Sequence, residues 1–190
     1  MGRTVSGADR ATVAAHGLRV TLPPRWEARL YLRDRDEAAA TAVLPLNLHP
    51  DAFGHPDESM NPVLHLANFA LPPGRGDFGT GAVERMGPAH VFVSLVEYDA
   101  EEAGRPLFAA RGLPRPRVQD FASNALQRRL PGQLGNQHFF TDHDRAFCLY
   151  TVLGSRQHAG ALVTQVHDVL DRVGIHKREV QPWARPSLSV

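Results

Sequence analysis

The sequence predicts an α+β domain with a mainly antiparallel sheet and one C-terminal helix packed on a face of it. Three observations lead there. Strand-like segments follow one another without the regular intervening helices of a doubly wound fold. The stretch 146–153, AFCLYTVL, is apolar on both faces, as suits a central strand covered on both sides. A clear apolar stripe at helical spacing comes near the end, at Ala159, Leu162, Val163, Val166, Leu170 and Val173.

Each element has its own signal. Residues 1–14 read as a loose leader. In 16–32, HGLRVTLPPRWEARLYL, the residues Leu18, Val20 and Leu22 alternate with Arg19 and Thr21. Pro23-Pro24 turns the chain, and Trp26, Ala28, Leu30 and Leu32 restart the alternation, which predicts a hairpin. Residues 33–62 form a long, proline-interrupted excursion of the kind that is often functional or mobile. Strands are expected at 63–71 and 90–98, with a glycine-rich loop at 72–81 between them. A short helical turn at 82–86 stops at Gly87-Pro88.

The span 99–136 is irregular, with a turn of helix expected at 121–129. Strands 137–141 and 146–153 are joined by a DHDR turn. The last helix, 156–173, takes Ser155 as its N-cap and Gly174 as its C′ stop. The result is one domain over 15–175, followed by an extended tail at 176–190.

Composition narrows the chemistry. A chain of 190 residues with 43% hydrophobic residues can bury a real core. Its net charge of +1 gives no strong general field for nucleic acid or an anionic membrane. Of the 21 basic residues only Lys177 is lysine, so the domain has no lysine for a Schiff base or a Walker-A contact. Arginine bias of this kind fits a GC-rich genome. Cys148 is the sole cysteine, which excludes an internal disulfide and a thiolate zinc cluster. Within FCLYTVL it reads as a buried, inert thiol. With no apolar leader core and no run of 18 apolar residues, the expectation is a soluble, cytoplasmic protein.

The strand–LPPxW–strand opening at 16–32 and the closing strand and helix at 146–175 resemble the PsbP/Mog1-like family. The glycine loop and the LPRPR span look like a branch of high-GC bacterial proteins. The resemblance covers the two ends well and the middle poorly. It implies an α+β fold and a non-catalytic, partner-binding role, and it carries no catalytic residue set.

The candidate chemistries compete with plainer readings. Gly74-Arg-Gly76-Asp-Phe-Gly79 matches GxGxxG after an apolar strand, with Glu97 and Asp99 near the spacing of a ribose acid. A dinucleotide site needs the glycines to open directly into a helix. Here Pro72-Pro73 precedes them, and Gly81, Gly87 and Pro88 interrupt the segment after them, so the expectation is a loop that packs Phe78 inward. His138, Asp142, His143 and Asp144 form the densest set of metal-ligand types. Asp also favours turns, and no HExxH spacing is present, so no metal residue is assigned. His65 and His90 read as satisfied structural histidines, and no GxSxG frames Ser94, Ser123 or Ser155.

Arg105, Arg111, Arg115, Arg117, Arg128 and Arg129 give the span 105–129 a local positive charge, relieved only by Asp120. An acidic protein partner suits this span better than nucleic acid, since no RNA- or DNA-binding motif accompanies it. Trp183, between prolines in the tail, either packs back on the domain or anchors a partner. The function expected is a non-catalytic protein-binding or adaptor module. The partner-binding residues are Arg111, Arg115, Arg117, Arg128, Arg129 and Trp183. No cofactor, membrane or nucleic-acid partner is expected. One alternative is an enzyme or metal-dependent hydrolase using the 138–144 cluster or the 74–81 loop. Another is an oligomer-forming structural subunit, a homo-oligomer.

Overall fold

A computed structural model describes residues 11–33 and 61–177. Most of the excursion, most of the leader and Trp183 in the tail lie outside the described residues.

Two antiparallel sheets and one helix make up the fold. The smaller sheet has the order β1-β2-β8, formed by Thr12–Ala15, Leu18–Thr21 and Val173–Ile175. β1 thus takes up the end of the stretch read as a leader. His16 (φ 52°) and Gly17 (φ 72°) connect β1 to β2. A two-residue turn with both φ values positive matches the right-handed twist of the strands it joins.

The larger sheet comprises β3 (Glu27–Leu32), β4 (Pro62–Ala67), β5 (Val91–Tyr98), β6 (Leu134–Asp142) and β7 (Arg145–Leu153), in the order β3-β4-β5-β7-β6. β6 and β7 form the predicted hairpin, turned at His143 (φ 49°) and Asp144 (φ 60°).

The hairpin expected over 16–32 is not formed. Both strands exist, but β2 pairs with β1 and β8 while β3 pairs with β4. Two prolines have no N–H to donate to a ladder. Here Pro23-Pro24 turns the chain out of one sheet and into the other.

The helix, α1, spans Ala159–Leu170 rather than 156–173. His158 occupies the cap position and Ser155 does not cap. Arg156 instead donates its backbone N–H to Gly132 O at 2.8 Å, which holds the chain out of helical form. Gly174 lies within β8 and is no helix stop. The open edge of β2 captures Val173 and Ile175 as a strand, which local periodicity does not reveal.

The core lies between the larger sheet and the layer of α1 with β2. Val93, Leu95, Phe147, Leu149, Leu162 and Val166, the predicted core residues, are all fully or almost fully buried. The opposite sheet face, with Phe92, Cys148, Tyr150 and Val152, is covered by the segment that carries the glycine loop.

Where a turn of helix was expected at 121–129 there are short 3₁₀ turns at Val118–Asp120 and Ser123–Ala125. The segment leading into them runs along the outer edge of β6. Thr141 N–H donates to Ala110 O, and Gly112 N–H to Thr141 O, while Ala122 and Gly135 exchange both backbone bonds. An edge strand covered in this way is less free to pair with another chain.

Arg145 fastens the two sheets together. Its Nε donates to Glu97 Oε1 at 2.9 Å and its Nη2 to Glu97 Oε2 at 2.6 Å. Nη2 also reaches His16 O, and Nη1 reaches Gly17 O and His176 O. All five guanidinium N–H groups therefore have an acceptor. Gly17 makes room for this: a Cβ there would fall 2.6 Å from Arg145 Nη1.

Candidate functional site

The densest group of titratable side chains lies under the glycine loop, on the sheet face turned away from α1. His65 of β4 and Ser94 of β5 are register partners, each a polar residue in an otherwise apolar strand core. Both are fully buried. Both donate to one acceptor, the backbone carbonyl of Asp77, at 2.7 Å from His65 Nε2 and 2.6 Å from Ser94 Oγ. On the other side of the ring, Arg75 Nε donates to His65 Nδ1 at 2.8 Å.

The Asp77 carboxylate is held as well. Tyr31 Oη donates to its Oδ1 at 3.0 Å. Arg33 Nε lies 3.3 Å from Oδ2, an ion pair without hydrogen-bond geometry. Arg33 Nη2 is directed instead to Glu97 O.

These partners settle the chemistry of the cluster. Nδ1 of His65 accepts, so it carries a lone pair, and Nε2 carries the proton. The imidazole is neutral. Burial first, and then the nearby Arg75 cation, hold its pKa down at about 4, against the opposing pull of the Asp77 carbonyl. Burial likewise lowers the pKa of Arg75. Ser, His and Asp meet here, but not as a relay. The His65 lone pair is occupied by Arg75, so it is not available to take the Ser94 proton. The arrangement clamps a loop to a sheet. Ser94→Ala should cost about 1 kcal/mol, because Asp77 O keeps its bond from His65. Urea denaturation of the variant measures this.

The glycines serve the same clamp. A Cβ at Gly79 (φ 83°) would fall 2.4 Å from Phe92 Cε1, so the loop lies flat on the sheet. Gly79 N–H donates to Gly76 O at 2.7 Å, and the chain continues into the three-residue 3₁₀ turn Val83–Arg85 rather than a helix. Phe78 packs edge-on against Tyr150. Glu97 faces Arg145, and Asp99 accepts from Asn61.

The other candidate ligands do not converge. Among the described residues, no group of three or more His, Cys, Asp or Glu side chains is placed to hold a metal. His143 lies 2.6 Å from Asp142 at the hairpin tip. His138 stands four residues down the strand, roughly 13 Å away at the usual strand rise. Burial pushes the Cys148 thiol up to about 12, and Gln137 donates to its Sγ. A cleft of about 480 Å³ opens beside Gln133, Ser155, Arg156 and Gln157, and neither carboxylate nor imidazole lines it.

The arginines of the middle span all reach the surface. Arg105 pairs with Glu102, Arg115 with Asp171 and Arg117 with Asp120. The Arg117 backbone N–H above all keeps the Asp120 carboxyl low, so it is ionised. Arg111, Arg128 and Arg129 are exposed and have no ion-pair partner among the described residues. The exposed large apolar side chains of the described residues fall on the same span, Leu107 at 43% and Val118 at 46%.

Sequence reasoning passed over Asp77, Arg75, Tyr31 and Arg33. The available signal was His65 in VLHLA and Ser94 in VFVSL, single polar residues inside apolar strands. A buried polar group needs a partner. Among the described residues no helix is long and apolar enough to cross a membrane. Compared with known proteins, the chain matches no family model, no curated protein and no solved structure.

Proposed function

We propose that this chain is a non-catalytic binding module of the cytoplasm that docks an acidic protein partner along the outer edge of β6. The observation that carries this is the coincidence of Arg111, Arg128 and Arg129, exposed and without described ion-pair partners, with the exposed Leu107 and Val118 on one span. Protein interfaces enrich arginine and place apolar side chains among polar ones. β6 holds part of this span at Ala110, Gly112 and Ala122, so part of the surface is ordered before a partner arrives. Preordering lowers the entropic cost of association. Arg115 and Arg117, in exposed ion pairs, could exchange their own carboxylates for those of a partner. Trp183 is proposed as a second anchor. The resemblance of the two ends of the chain to the PsbP/Mog1-like family favours the same role.

The test is cross-linking in extract of the native host, identification of the captured protein, and measurement of its affinity with purified components. Arg128→Glu with Arg129→Glu should weaken binding at least about tenfold, or ~1.4 kcal/mol. Added salt should weaken the wild-type complex. The thermal midpoint of the variant should stay within about 2 °C, since exposed sites contribute little to folding. Unchanged affinity in that variant and in Leu107→Ser with Val118→Ser would remove this surface from consideration. Capture of nucleic acid instead of protein would overturn the reading.

A further inference from the structure

We infer that the face of β6 and β7 turned towards α1 holds a buried water molecule, bound by Asn136, Thr151 and His138. Three polar atoms there are buried and have no protein partner: Asn136 Oδ1, Thr151 Oγ1 and His138 Nε2. They share one place in the sheet. Asn136 and Thr151 are register partners across the β6–β7 ladder, so their side chains stand on the same face. His138 is two residues along β6 and stands on that face too. Leu134, Phe140, Leu149 and Leu153 of the same face belong to the main core. Thr151 is 0% exposed and Asn136 4%.

The orientation of Asn136 is fixed by its other end. Its Nδ2 donates to Asp120 O at 2.8 Å, in the 3₁₀ turn that lies over the strand pair. Oδ1 is then left needing a donor. Thr151 Oγ can donate or accept, and so can a neutral imidazole nitrogen. The guest must donate to Asn136, and it can either donate to or accept from the other two. Water does this and commonly makes about three bonds in such sites. A hard divalent cation such as Ca²⁺ or Mg²⁺ fits poorly, because none of the three candidate ligands is a carboxylate.

A high-resolution crystal structure tests the assignment directly. A density peak within about 2.6–3.2 Å of all three atoms is expected. An empty site, side chains turned to bond one another, or a peak with a metal's anomalous signal would each overturn it. Thr151→Val gives a second reading whose sign decides. With water present, the isosteric valine removes one of its ligands, and the thermal midpoint should fall by roughly 2–4 °C. With a dry site, valine removes an unsatisfied hydroxyl and the midpoint should rise, which would refute the assignment.

Discussion

Replacing Arg145 with alanine should destabilise the protein by about 3–5 kcal/mol, the range found when one member of a buried ion pair is removed. The guanidinium is 5% exposed as a residue, and its partner Glu97 is 4% exposed. The variant leaves the Glu97 carboxylate buried without that cation. It also takes the donor away from three carbonyls, those of His16, Gly17 and His176. These carbonyls lie at the β1–β2 turn and just past β8, so the attachment of the smaller sheet should loosen first. Amide exchange in β1, β2 and β8 should rise more than in β5 and β7. Adding Glu97→Gln should recover part of the loss, because the buried carboxylate that faced Arg145 is then gone. A loss under about 1 kcal/mol in urea denaturation would show that Arg145 does not join the sheets.

Acid should weaken the fold through His65. Its folded pKa is lowered, from 6.5 to about 4. As pH falls below 6.5 the unfolded chain takes up a proton that the native imidazole refuses. Stability contributed by this group is therefore complete above about 6.5, falls as pH drops towards 4, and levels off below it. The gap corresponds to roughly 3 kcal/mol. The structural reason is direct: a proton on Nδ1 would turn the acceptor of the Arg75 N–H into a donor beside a cation. Carboxylates add their own pH dependence, so the comparison is between wild type and His65→Gln. The variant should lose less stability between pH 7 and pH 4.5. Parallel pH profiles for the two proteins would sink the idea.

Both predictions involve residues whose importance the sequence concealed. Arg145 read as the end of a turn and Glu97 as a candidate ribose acid. Neither carries a mark of the other, 48 positions away. His65 did read as a structural histidine, but its three partners come from a loop, Asp77 and Arg75, and from the next strand, Ser94, which shares its acceptor. Only the folding of 71–86 onto the sheet brings them together. The arginines of 105–129 were legible as a charged span. Their common exposure, and the two apolar residues beside them, were not.

By itself the sequence determined the fold class, six of the eight strands and the centre of the core. Alternation in 18–22 and 26–32, the doubly apolar runs 90–98 and 146–153 and the stripe from Ala159 to Leu170 are local signals, the first and last set by periods of 2.0 and 3.6 residues. It also determined the β6–β7 turn, because DHDR supplies residues that tolerate positive φ. Tertiary structure alone decided which strands pair. Periodicity shows which side of a strand is apolar but not which neighbour fills its edge. So β2 found β8 from the far end of the chain rather than β3 across two prolines. The same pairing cut the helix short at Leu170, since ladder hydrogen bonds and burial of Ile175 outweigh one more helical turn. The buried polar contacts came from that assembly, because hydrogen bonds between distant residues exist only once packing has brought the donors to the acceptors.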